Sequence, residues 1–269
     1  MTGKKVLYVS SEVIPYLPNN DISTLSYSLP KMVNDNGGQT RIFIPKYGLI
    51  NERRHQLHEV IRLSGMNLII DDLDMPLIIK VASIPKERMQ VYFIDNDEYF
   101  KGRLLHADAK KKLYKDNDER AIFFAKGVVE TIKKLNWSPD IIHVHGWIAA
   151  LMPLYIKEFY KDEPLFANSK VVTSLYGNEI QGNLSPTIVN KIKFDEVESE
   201  TLSTLNDPTY ENLFKLSVLN SDAVIIASDN VNESIIEFVN QHNKPVLKCG
   251  FKEGFQKEYL EFYNTKILN

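Results

Sequence analysis

The stretch Asp140-Ile-Ile-His-Val-His145-Gly-Trp-Ile-Ala-Ala-Leu151 decides the fold. An apolar run ends at a histidine, and a Gly-Trp turn then opens an amphipathic segment. A short buried strand followed at once by a helix is the unit of an open parallel sheet, where ligands bind just beyond the carboxyl ends of the strands. His143 and His145 alternate along the strand, so both point to one face. His143 reads as a satisfied core histidine; His145, at the strand end, reads either as core or as a ligand contact.

The same rhythm extends in both directions. Val6–Ser10 is a strand, Asp21 or Ser23 can cap a helix running to about Asn36, and Gly37-Gly38 stops it. Arg41–Ile44 follows as a second strand, and the β-α-β order implies a parallel pair with a right-handed crossover. Leu68–Ile70, Leu77–Ser83 and Gln90–Ile94 are short strands separated by Asp71–Asp74 and Pro85–Arg88, a spacing that predicts hairpins or an added sheet edge. Asp97–Lys115 is polar and reads as an exposed loop, before a long helix starting at Asp116 or Asn117. Beyond the histidine strand come a helix over Ile148–Phe159, a strand at Lys170–Ser174, and helices near Ser185–Lys193 and Tyr210–Leu219. A strand at Ala223–Ala227, a helix at Asn230–Asn240 and a closing helix over Phe251–Leu268 complete the pattern. The expectation is an α/β, doubly wound, Rossmann-like parallel sheet with an inserted β-hairpin region, as a single domain over 1–269.

The totals narrow the function classes. A net charge of −3 gives no global attraction to nucleic acid or to an anionic membrane. Cys249 is the one cysteine, which excludes an internal disulfide or a cysteine-based zinc cluster. No apolar run approaches the roughly 20 residues of a spanning helix. A cytoplasmic protein without metal or cofactor is the expectation.

The loop after the first strand, Ser10 to Thr24, is where nucleotide-binding α/β folds carry a glycine-rich turn. No glycine occurs between Gly3 and Gly37, and Asp21 would repel a phosphate placed at the helix start. The loop therefore reads as structural, with helix-capping residues. His55 and His58 have a spacing that could put two imidazoles on one helix face, with Glu52 or Glu59 as further ligands, or form a solvated polar face. Trp147 and Tyr176 sit at strand exits, as sugar-stacking rings or as lids on the core. Asp195–Glu200 reads as a solvated acidic loop, and Lys110–Lys112 is too short for nucleic-acid binding.

These stations, taken in order, resemble the bacterial glycogen and starch synthases, which transfer glucose from ADP-glucose to an α-glucan. Lys5–Pro15 is similar to that family's first strand and Ser-Glu-x-x-Pro loop. Leu29-Pro30, Arg41 with Pro45–Gly48, Val91–Asp95 with Tyr99-Phe100, Asp116-Asn117 with Arg120, Asp140–Leu151, and Ser221–Ile225 with Ser228 continue the resemblance. It implies the N-terminal half of a GT-B glycosyltransferase, with Glu12, Asn20, Asp21, His145, Gly146, Trp147 and Tyr176 as substrate-facing positions. It also implies losses. The family's Lys-x-Gly-Gly-Leu motif falls on Pro18, Asn20, Asp21 and Ile22, its sugar-contacting aspartate on Gly146, and its next histidine has no counterpart in Thr173–Gly182.

The resemblance therefore implies α-glucan metabolism without autonomous transferase activity. ADP-glucose or an α-glucan is the expected ligand, and a second-domain protein or another copy the expected partner. A non-catalytic binder of glucan or nucleotide sugar, or a partner-docking scaffold, is the alternative.

Overall fold

The computed structural model describes residues 1–87, 89–177 and 180–269. Arg88, at the end of the turn read at 85–88, lies outside the described residues, as do Asn178 and Glu179 of the stretch read as lacking histidine.

Among the described residues ten strands form one sheet: β1 (Lys5–Ser10), β2 (Gln39–Pro45), β3 (His58–Glu59), β4 (Met66–Ile70), β5 (Leu73–Ile84), β6 (Met89–Asp95), β7 (Ile141–His145), β8 (Lys170–Leu175), β9 (Ala223–Ile226) and β10 (Val246–Lys248). The order is β10-β9-β8-β7-β1-β2-β6-β5-β3, with β4 paired to β5. The seven strands from β10 to β6 are parallel; β5, β3 and β4 are antiparallel additions at one edge. Such buried parallel strands read as continuous apolar runs because both faces are covered, and β1, β7 and β9 have no exposed position.

The helices are α1 (Asp21–Asp35), α2 (Asp97–Phe100), α3 (Asn117–Leu135), α4 (Met152–Leu154), α5 (Ile188–Phe194), α6 (Tyr210–Leu219), α7 (Glu233–Gln241) and α8 (Phe255–Phe262). The sheet therefore winds outward both ways from β1 and β7, and a ligand cleft is expected where the two directions part. None of the described helices is long and apolar enough to cross a membrane.

Several expectations are corrected. The cap of α1 is Asn20: its Oδ1 accepts from the Ser23 N–H at 2.8 Å, and Ser23 Oγ accepts from the Asn20 N–H at 2.9 Å. This reciprocal capping box satisfies two orphan donors, so Asp21 is simply the first helical residue. His55 and His58 share no helix, since residues 52–56 form turns and His58 lies in β3. Glu52, offered there as a ligand, instead pairs with Lys46 and Lys80 at 2.7 and 2.8 Å. The segment 97–115 is not a plain exposed loop: α2 buries Tyr99 and Phe100, and Arg103 grips Asp116 through two bonds of 2.6 and 2.5 Å. The helix expected at Ile148–Phe159 is broken into a 3-10 turn, α4 and a π turn; Pro153 lacks the N–H that an unbroken helix would donate to Ala149, which accounts for the first break.

After α8 the chain continues as a π turn, Tyr263–Ile267, across the sheet face. There Tyr263 meets His143 Nδ1 at 2.6 Å and the Tyr8 hydroxyl at 3.3 Å. His143 Nε2 meets Ser174 Oγ at 2.7 Å, so this core histidine has partners at both ring nitrogens. Burial, and then the neighbouring His145, holds the His143 pKa well below the ordinary imidazole value.

Candidate functional site

At the switch point the exits of β1 and β7 lie side by side, tied by the Ser11 N–H donating to the His145 carbonyl at 2.9 Å. Ser10 Oγ bonds Ser26 Oγ at 2.8 Å, anchoring the first loop onto α1. These ties shape a cleft of about 340 Å³ at the carboxyl edge of the sheet.

Its first wall comes from the β1–α1 loop. Glu12, Asn20, Asp21 and Ile22 line it, and Asn20 Nδ2 donates to Glu12 Oε2 at 2.8 Å. Burial raises the Glu12 pKa above the usual carboxylate value, and the Asn20 bond offsets part of that. Asn20 thus does two jobs, capping α1 and holding Glu12. Asn20→Ala is expected to cost about 1–2 kcal/mol in urea unfolding, and unchanged stability would show that the capping bond contributes nothing.

The floor is Trp147 and Tyr176, both at least nine-tenths buried. The far wall is Gly177, Ser228 and Asn230, at the exits of β8 and β9. Gly177 passes so close to Asn230 that a Cβ there would lie 2.9 Å from the asparagine Cβ. Leu105 and His106 close the remaining side. Burial, and then the Arg120 charge, lowers the His106 pKa, which keeps this imidazole neutral near pH 7. A second cavity of about 400 Å³ adjoins the first and shares Asp21, Ser228 and Asn230 with it.

Five of the seven residues singled out from sequence, Glu12, Asn20, Asp21, Trp147 and Tyr176, line the first cavity together. His145 and Gly146 do not line it. His145 is fully buried, its Nδ1 bonded to the Tyr176 hydroxyl at 2.7 Å, and burial depresses its pKa to about 3. It therefore reaches the cleft through Tyr176. Gly146 adopts φ 78°, ψ 170°, and a Cβ built there would stand 2.0 Å from Ser11 Oγ and 2.9 Å from Ser11 Cβ. The glycine is what lets β7 turn so near the first loop.

Sequence reasoning missed Ile22, Leu105, His106, Gly177, Ser228 and Asn230 as lining residues. Ser228 and Asn230 carried a usable signal, because they follow β9 as Gly146 and Trp147 follow β7. Among the described residues no three histidine, cysteine or acidic side chains cluster in a way that could hold a metal ion.

Comparison with known proteins agrees with this architecture. The family model for the starch synthase catalytic domain matches residues 5–248. The glycogen synthase of Chlorobium limicola is 39% identical over 196 residues, covering 72% of this chain and 40% of that protein. The glycogen synthase of Chlorobium phaeovibrioides is 35% identical over 232 residues, covering 86% of this chain and 47% of its own length. The chain thus spans between two-fifths and half of these relatives. Among solved structures, the catalytic domain of starch synthase IV from Arabidopsis thaliana, bound to ADP and acarbose, superposes with a TM-score of 0.75. It is 17% identical, and the match covers 93% of this chain and 52% of that one, a likeness of fold. The Rossmann-like sheet, the order of its motifs and the extent of the family match agree: this chain belongs to the starch synthase catalytic domain family.

Proposed function

We propose that this chain binds a neutral α-glucan in the switch-point cleft and does not by itself transfer glucose from ADP-glucose. One observation carries the reading: among the described residues no lysine or arginine lines the first cavity, whose ionisable members are Glu12, Asp21, His106 and Tyr176. A nucleotide diphosphate brings two or more negative charges, and transfer from it needs groups that stabilise the leaving diphosphate. Here a carboxylate stands in the first turn of α1, where helix N-termini otherwise favour anions. The Asn20–Ser23 box already occupies donors that a phosphate would use.

Neutral polyols suit the same walls. Carboxylate and amide oxygens accept hydroxyl protons, amide N–H groups donate, and two aromatic rings lie beneath. The starch synthase IV structure holds acarbose, a saccharide, as well as ADP, and the present cavity favours ligands of the first kind. The adjoining cavity is lined by Asp21, Asp229, Asn230, Lys248 and Lys252 together with Ile226, Ile236 and Phe251, a mixed lining rather than the continuous apolar patch that marks a docking face.

Calorimetric titration of the chain with maltoheptaose and with ADP-glucose tests the ligand class. Saccharide binding is expected, with ADP-glucose no tighter; tighter ADP-glucose binding would overturn the neutral-ligand reading. Labelled ADP-glucose and glycogen test the chemistry, and incorporation above a heat-killed control would sink the claim that the chain does not transfer.

A further inference from the structure

We propose that Asn117 and Arg120, in the first turn of α3, are positioning residues that fix the distance between two walls of the cleft and so set which saccharide it admits. The inference rests on the saccharide-binding reading above. Neither side chain lines the cavity, and both are buried, Arg120 completely.

Their bonds converge on the wall. Arg120 Nη2 donates to the Leu104 carbonyl at 3.0 Å, and Asn117 Nδ2 donates to the His106 carbonyl at 2.8 Å. These two carbonyls bracket Leu105 and His106, the residues that close one side of the cavity. Arg120 Nη1 donates to Asn117 Oδ1 at 2.8 Å, so the two clamps are locked to each other. On the opposite side the Arg120 guanidinium lies 5.9 Å from the Trp147 ring, and Asn117 Nδ2 donates to the Tyr210 hydroxyl at 2.8 Å. Tyr210 meets Trp147 edge-on at 5.8 Å. One pair of side chains therefore spans from the Leu105–His106 wall to the Trp147 floor.

Stability alone does not account for the arginine. Its acceptors among the described residues are an amide and a carbonyl, and the adjacent carboxylate, Asp116, is taken by Arg103. Tyr47, Phe100 and Tyr114 surround the guanidinium at 5.1 to 5.7 Å. Burying a cation without a carboxylate bond carries a desolvation cost that an apolar side chain of like volume would avoid. What an apolar side chain cannot do is hold two acceptors at fixed directions, which the planar guanidinium does.

The test uses the full chain and maltoheptaose, with Arg120→Met and Asn117→Asp. Asn117→Asp keeps an acceptor for Arg120 but loses the donors to His106 and Tyr210. Measured well below each melting midpoint, each variant is expected to weaken saccharide binding at least tenfold, and Arg120→Lys is expected not to restore it. Affinities within twofold of the unaltered chain would overturn the proposal. So would repair by Arg120→Lys, since charge without the planar fork would then suffice. Should the unaltered chain bind no saccharide, the ligand reading fails by itself, and amide hydrogen exchange in the free protein decides the clamp. Exchange faster by tenfold or more, confined to residues 103–114 in Arg120→Met, supports it; uniform or absent acceleration overturns it.

Discussion

Replacing Gly146 by alanine is expected to lower stability by about 3 kcal/mol, and replacing it by aspartate by at least as much. Two costs add. At φ 78°, ψ 170° the backbone lies in a region open essentially to glycine alone. The new Cβ would also stand 2.9 Å from Ser11 Cβ, which no rotation of the serine hydroxyl relieves, and Ser11 is held in place by its bond to His145. Differential scanning calorimetry reads the loss as a fall of several degrees; a melting temperature within a degree of the unaltered chain would show that the turn yields freely. Gly146→Asp restores the side chain the synthase resemblance implies at this position, yet glucosyl transfer from ADP-glucose is expected to stay absent. Among the described residues, the lining of the first cavity would still offer no lysine or arginine to the diphosphate.

Mild acid should unfold the chain through its buried histidine pair. His143 and His145 lie with ring centroids 4.0 Å apart and are fully buried. Burial lowers the pKa of both, to about 3 for His145. Because the folded values lie below the unfolded one, the unfolded chain takes up these protons first. The stabilisation is complete above about pH 6.5 and is lost as pH falls from there toward 3. Converted at about 1.4 kcal/mol per unit, His145 alone accounts for on the order of 5 kcal/mol across that window. Urea midpoints between pH 7.5 and 4.5 should fall steadily, and His145→Gln should flatten the slope. A slope unchanged by that substitution would assign the acid sensitivity to other groups.

The parallel core was legible because β1, β2, β7, β8 and β9 each carry a short run rich in apolar residues, and paired glycines follow closely on the helix between β1 and β2. The antiparallel edge was legible only in part. β5 runs twelve residues, but Asp74 and Pro76 interrupt its apolar pattern in sequence while β4 and β6 hold it as one strand. β10 went unread because it is three residues long and half-exposed, held by pairing with β9. In the site, the residues at the first-loop and β7 exits could be read from the strand-end rule. Leu105 and His106 could not, since nothing local marks them; side chains on α3 put them there. Gly146 was visible as a departure from the synthase pattern, but the reason an aspartate does not fit it lies in Ser11, 135 positions earlier in the chain.

The contact between Tyr8 and Tyr263 joins residues 255 positions apart, and this bears on how the molecule is made. Synthesis at roughly 5–20 residues per second separates the appearance of these two tyrosines by about 13 to 50 s. For the last 120 residues of that interval the sheet face under the closing segment, now with the His143 imidazole in it, lacks its cover. Tyr8 thus leaves the ribosome 255 residues ahead of the side chain that finishes its burial. A nascent chain stalled before Phe255 would carry the complete cleft together with an uncovered sheet face, the kind of surface that chaperones hold.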